Sequence, residues 1–241
     1  MKKNLLVISD GNGVNNDNFI KWTGLLPLLC NKSIIAHNKS IIGASNEIIM
    51  MQVAEAVSTS TVDAAIIQWT IPIRVDVVAT DFWKEQAKID PVYHFNIVTS
   101  NDKEFWVSSA SNNEYIKTYH NKYIHKWQAV QRSQSYMMAT SALLKSKNIP
   151  FVFTLAYNFN FIKPFDQFLA DMPWIWHQPN AGMSEFRQLS EFAAYDKNLP
   201  QPHSLIQLEW IDKVIKPAVD FIDYDQKVYY TIQNQLLKDN V

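Results

Sequence analysis

Three short, nearly continuous apolar runs set the fold class of this chain: Leu5–Ile8, Asp63–Trp69 and Phe151–Ala156. A strand with one wet face alternates apolar and polar residues, whereas a strand buried on both faces of a parallel sheet reads as an unbroken run. The first run ends in the turn Ser9-Asp10-Gly11-Asn12-Gly13, the second at Pro72, and the third follows the turn Asn148-Ile149-Pro150. Ser33–Ala36 is a further short strand candidate. Helical patterns lie between the runs. Gly43-Ala44-Ser45-Asn46 opens a helix over Glu47–Val57, with Ser45 or Asn46 as its cap. Tyr115–Lys147 reads as a long helix with Tyr136, Ala139, Ala142 and Leu143 on one face. Leu205, Leu208, Ile211, Ile215 and Ala218 mark a last amphipathic helix whose end Pro217 bends. Strand alternating with helix predicts an α/β domain, an open parallel sheet covered by helices on both faces.

The remaining segments carry weaker patterns. Residues 80–112 mix aromatic and polar groups without a period and read as an irregular insertion with one hairpin. Residues 158–200 are loop-rich. One domain is expected over residues 1–222, followed by an exposed C-terminal tail over 223–241, whose stretch Tyr224–Val241 is a candidate interaction segment.

A chain of 241 residues, 47% hydrophobic and 19% charged, buries roughly three quarters of its unfolded surface without help from disulfides or metal. Cys30, the single cysteine, cannot form an internal bridge and reads as a small buried hydrophobe at the end of Leu25–Cys30. With 22 basic and 23 acidic residues the net charge is -1, so the basic stripe that nucleic-acid binding requires is not expected. The start, MKKNLLVISDGNG, has too short an apolar run for a signal peptide or a membrane span, which implies a cytoplasmic setting without membrane contact. His120 and His125 stand five apart, on different faces of a helix, and no other spacing resembles a metal site. Gly11-Asn12-Gly13 lacks the pattern of a phosphate-binding loop, so no metal or cofactor is expected.

In open α/β sheets ligands bind beyond the carboxyl ends of the strands, here Ser9–Gly13, Trp69–Arg74 and Ala156–Asn160. Only five glycines occur, and Gly11, Gly13 and Gly43 fall in or beside these loops. Asp10 is either a site residue or a turn residue bonding its own backbone. Gly43 is either an amide donor near a helix N-terminus or the glycine of a tight turn. Arg74, after Pro72, can hold a carboxylate or phosphate by two parallel bonds, or pair with Asp76, Asp81 or Glu85. The Trp174-Ile175-Trp176-His177 cluster is either a stacking platform for sugars or ordinary packing.

Four segments, in order, resemble the conserved blocks of the SGNH (GDSL-like) hydrolases, in the form found in viral genomes: LLVISDGN, NKSIIGASNEII, AAIIQWTIPIR and LPQPHSLIQLEWIDKVIKP. The stretch YIHKWQAVQRSQSYMMATSALLKSKNIPFVFTLA is similar to the long helix and following strand of those members. The resemblance implies the flavodoxin-like three-layer fold of that family and a serine ester hydrolase site. Carried over residue by residue, Asp10 is retained while Gly11 occupies the place of the nucleophilic serine, with Asn12 beside it. Gly43 matches the oxyanion glycine, with Asn46 in the same block, and Thr70 falls near the asparagine donor. Gln201 stands at the general base and Asn198 at its orienting aspartate. A two-residue shift makes His203 the base, and a re-registered turn makes Ser9 the nucleophile. Glycine offers no nucleophile and glutamine no base at neutral pH, so the resemblance implies impaired catalysis. Three functions follow as expectations: a binding or structural module of a phage particle, a divergent esterase or deacetylase on acylated carbohydrate or lipid, and a host-directed factor holding a small anionic or carbohydrate ligand or a host protein. The setting expected from the resemblance is the host cytoplasm or the virion.

Overall fold

The computed structural model describes residues 2–10, 20–31, 33–41, 44–72, 76–78, 106–108, 118, 122, 125–156, 182–196 and 202–238. Four parallel strands form the central sheet: β1 (Lys3–Ile8), β2 (Ile34–Asn38), β3 (Ala64–Trp69) and β6 (Phe151–Leu155), in the order β2-β1-β3-β6. That is the start of the flavodoxin-like order, and an all-parallel sheet flanked by helices bears out the α/β reading. A separate antiparallel pair joins β4 (Asp76–Val78) to β5 (Trp106–Ser108), with Val77 opposite Val107. β4 precedes the expected insertion over 80–112 and β5 lies within it; the other positions of the insertion lie outside the described residues.

Strand alternation sends neighbouring side chains to opposite faces, and each face has its own core. On one, Leu5, Val7, Ala64, Ile66 and Val152 meet α1 (Trp22–Leu29), α5 (Ser204–Trp210) and α6 (Gln226–Lys238). Trp22 and Trp210 pack edge to face there, 5.6 Å between ring centroids. On the other, Leu6, Ile8, Ala65, Ile67, Phe153 and Leu155 meet α2 (Asn46–Thr59) and α3 (Lys126–Ser146). Cys30 is buried and free, and burial raises its thiol pKa to about 11.

Several expectations need correction. The described part of the long helix runs over Lys126–Ser146, and its buried stripe is Val130, Ser133, Met137, Thr140, Ser141 and Leu144. Ala139 and Ala142, expected on the buried face, are exposed, while Tyr136 and Leu143 are half-buried. Both stripes follow helical spacing, and the small alanines lost to the larger Met137 and Leu144, which fill more of the space over the sheet. The helix expected over Leu205–Ala218 is amphipathic only in its second half: every residue of α5 is buried, whereas Lys213 and Pro217 beyond it are exposed. α5 packs against its helical neighbours α1, α4 (Met183–Leu189) and α6. It then widens into a π turn, Ile211–Ile215, before a short helical end, Lys216–Ala218, that contains Pro217. Proline cannot donate to the preceding turn, and a local widening is a usual accommodation. The segment expected as an exposed tail folds into α6, with Tyr224, Tyr229 and Leu236 buried in the core beside α5. No helix among the described residues is long and apolar enough to cross a membrane.

Candidate functional site

In a doubly wound sheet the ligand crevice opens where connections leave adjacent strands toward opposite faces. From β1 the chain passes through α1, on one face, to β2; from β2 it passes through α2, on the other face, to β3. The switch therefore falls between β1 and β3, at Ser9-Asp10 and Thr70.

A hydrogen-bond chain crosses that point. Thr70 Oγ1 donates to Asp10 Oδ2 at 2.9 Å. Thr70 N–H donates to Asn46 Oδ1 at 2.9 Å, and Asn46 Nδ2 donates both to the Thr70 carbonyl at 3.1 Å and to Ser133 Oγ at 3.0 Å. All four residues are buried. The Asn46 amide thus pairs with both backbone groups of Thr70, as a neighbouring strand would. Asn46 is available for this because Ser45 caps α2, its Oγ accepting from the amides of Glu47 and Ile48. Beside the clamp lies a cleft bordered by Glu47, Pro72, Arg132 and Tyr136, with room for about one water molecule, about 10 Å³. Tyr136 OH donates to Glu47 Oε2 across it at 3.1 Å.

Three residues singled out from sequence, Asp10, Asn46 and Thr70, are thus joined. Ser9 is wholly buried next to Asp10, and its carbonyl accepts from Ile41 N–H at 3.2 Å. His203 is the N-cap of α5, where its Nδ1 accepts the Leu205 N–H at 3.2 Å and its ring lies 6.0 Å from that of Tyr195. Gly11, Asn12, Gly13, Gly43, Arg74, Asn198, Gln201 and the Trp174–His177 cluster lie outside the described residues.

Sequence reasoning missed the residues that tie α1 to α5. Trp22 N–H donates to Gln207 Oε1 at 2.8 Å, and Gln207 Nε2 donates to the Pro202 carbonyl at 2.6 Å. Lys21, just before Trp22, is wholly buried, and desolvation lowers its amine from 10.5 to about 8. A lysine ahead of an apolar run reads as an ordinary surface cation, so nothing in the sequence marked it. Between pH 8 and 10.5 the unfolded chain holds a proton on Lys21 that the folded chain has released, so this group makes stability rise with pH in that window. Subtracting the stability of Lys21→Met from that of the native protein isolates it. The difference is expected to shift in favour of the native protein as pH rises from 8 to 10.5, by at most about 1.4 kcal/mol per pH unit, one proton's worth. Denaturant titrations across that range check it. A flat difference would mean that the amine titrates at its ordinary value. The subtraction matters because Cys30 and Tyr229, whose pKa values burial raises, act in the opposite direction at high pH.

No protein-family model and no curated protein sequence matches the chain. Fold and site together define an open-sheet α/β protein whose polar residues at the topological switch are bonded to one another.

Proposed function

We propose that the chain is an SGNH-like domain that binds rather than hydrolyses, serving as a binding or structural module of a phage particle. The observation that supports this most directly is the state of His203. A triad histidine accepts the nucleophile's proton on one ring nitrogen and donates from the other to a carboxylate. Here the Nδ1 lone pair is committed to the Leu205 amide, so the neutral ring carries its proton on Nε2, where it can donate but not accept. The clamp agrees with this. The Thr70 hydroxyl, near the place of an oxyanion donor, already donates to Asp10. The phage setting rests on the sequence resemblance alone. So does the choice of ligand, a small anionic or carbohydrate group at the carboxyl ends of β1 and β3.

Reaction with a fluorophosphonate probe, followed by mass spectrometry of the adduct, tests the reading. The expected result is no labelling in a sample shown to be folded. Labelling on Ser9 that disappears in Ser9→Ala would overturn it in favour of a divergent esterase or deacetylase, with the first block re-registered.

A further inference from the structure

Gln68 and Thr154 stand side by side. Their strands pair in register at these two positions, and the pleat places both side chains on the face that holds Ile66 and Val152, under α1 and α5. Both are wholly buried. Neither the Nε2 and Oε1 of Gln68 nor the Oγ1 of Thr154 pairs with another residue among the described ones. The row extends to β1. Ile8 lies opposite Ile67, so Ser9 falls opposite Gln68, and the bond from Ile41 N–H to the Ser9 carbonyl continues the strand pairing that far. One step toward the amino ends the same face carries the apolar row Val7, Ile66 and Val152. The face therefore changes from apolar to polar at its last row, directly below the topological switch.

Interior amides and hydroxyls normally have partners, because leaving them unpaired forfeits the hydrogen bonds they made in water. The chemistry of the missing partner can be read from the two side chains. A carboxamide offers two donors and an acceptor, and a hydroxyl offers one donor and accepts. An anion would leave Gln68 Oε1 unmet, and an ammonium group would leave the Nε2 hydrogens unmet. We propose that Gln68 and Thr154 form a buried site for a neutral oxygen that both donates and accepts. That oxygen belongs either to a resident water or to the hydroxyl of a polyol or sugar reaching in from the carboxyl ends. The inference stands whether or not the domain hydrolyses esters, since neither residue belongs to the machinery tested by the fluorophosphonate probe.

The test is solution NMR on the native, isotopically labelled protein, with water-selective NOE and ROE spectra read at the Gln68 side-chain amide and the Thr154 hydroxyl. A buried water stays long enough to give cross-peaks characteristic of slow exchange. Cross-peaks at Gln68 are expected, as is their loss in Thr154→Val, which keeps the side chain's shape and removes the hydroxyl. A glycerol titration separates the two sources. Replacement of the water cross-peaks by glycerol cross-peaks, with a shift of the Gln68 amide, identifies a site open to a ligand hydroxyl. Unchanged water cross-peaks identify a resident water. The proposal is overturned if neither water nor glycerol gives a cross-peak at Gln68, as when the amide bonds Thr154 Oγ1 directly. It is also overturned if the water cross-peaks survive Thr154→Val undiminished.

Discussion

Asn46→Ala is expected to lower the free energy of unfolding by about 3–5 kcal/mol, from three buried hydrogen bonds whose surviving partners are orphaned at up to 1–3 kcal/mol apiece. The native asparagine accepts from Thr70 N–H and donates to the Thr70 carbonyl and Ser133 Oγ, all inside the protein. Alanine leaves the backbone N–H and C=O of Thr70 with no other partner among the described residues. For a chain of this size the midpoint of thermal unfolding should fall by roughly 10 °C. The loss belongs to the clamp and not to the helix, because Ser45 still caps α2 and alanine is a good helix former. Urea titration checks this: the midpoint should fall with little change in slope. Asn46→Asp separates the bonds. Its carboxylate can still accept from Thr70 N–H but sets a second acceptor against the Thr70 carbonyl. Burial and that repulsion favour the protonated acid, so the folded-state pKa of the new carboxyl is raised. The aspartate variant should therefore lose stability as pH rises through the ordinary carboxylate range and regain it in acid, relative to the native protein. A native-like Asn46→Ala would mean that the loop after β3 is held by something other than this amide.

The clamp also shows how far a sequence of this kind can be read. The strands were legible because a buried parallel strand has no polar positions to dilute its run, and β3 is buried along its whole length. The carboxyl ends of the apolar runs put Asp10 and Thr70 in candidate ligand loops, but the switch point that joins them needs the strand order, which only the structure shows. What could not be read was the division of labour in Ser45-Asn46. Either residue can cap a helix, and only the position of Thr70, 24 residues away, decides that Ser45 does so while Asn46 turns inward. The faces of α3 were misjudged for a related reason. Its sequence has apolar or small residues on two sides, and periodicity alone does not say which side meets the sheet. In α5 the amphipathic pattern misled because polar residues that mimic a wet face, Gln207 and Glu209, are buried with partners on other elements. Long-range pairing of polar groups leaves no periodic trace.

Glu209 is where that hidden pairing leads to an unintuitive ranking of mutants. Its carboxylate is 1% exposed, accepts from Ser190 Oγ, and is paired with Lys213, one turn on, whose side chain is 52% exposed and also reaches Glu191 at 3.1 Å. Exposure alone would rank Glu209 as the critical residue and Lys213 as dispensable. The energetics of a buried ion reverse this. Removing the lysine leaves the carboxylate buried with Ser190 as its remaining hydrogen-bond donor among the described residues, and an uncompensated buried charge costs about 3–5 kcal/mol. Water admitted at the half-exposed end of the pair reduces this to roughly 2–3 kcal/mol for Lys213→Met. Glu209→Gln instead removes the buried charge, keeps an oxygen to accept from Ser190 and Lys213, and leaves the lysine in water beside Glu191. It should cost about 1 kcal/mol or less. The pair also has a pH signature. Bonding to Glu209, and secondarily to Glu191, raises the Lys213 pKa above its ordinary 10.5. Its contribution is therefore fully present below pH 10.5 and is lost as pH rises through the higher folded value. In Lys213→Met the stranded, buried carboxyl should be easier to protonate, so that variant should recover stability on acidification relative to the native protein. Denaturant midpoints of the two variants at pH 7 and pH 5 decide the matter. If Glu209→Gln proves the costlier at pH 7, the carboxylate is held by contacts beyond Lys213 and Ser190, and the pair is not what stabilises this end of α5.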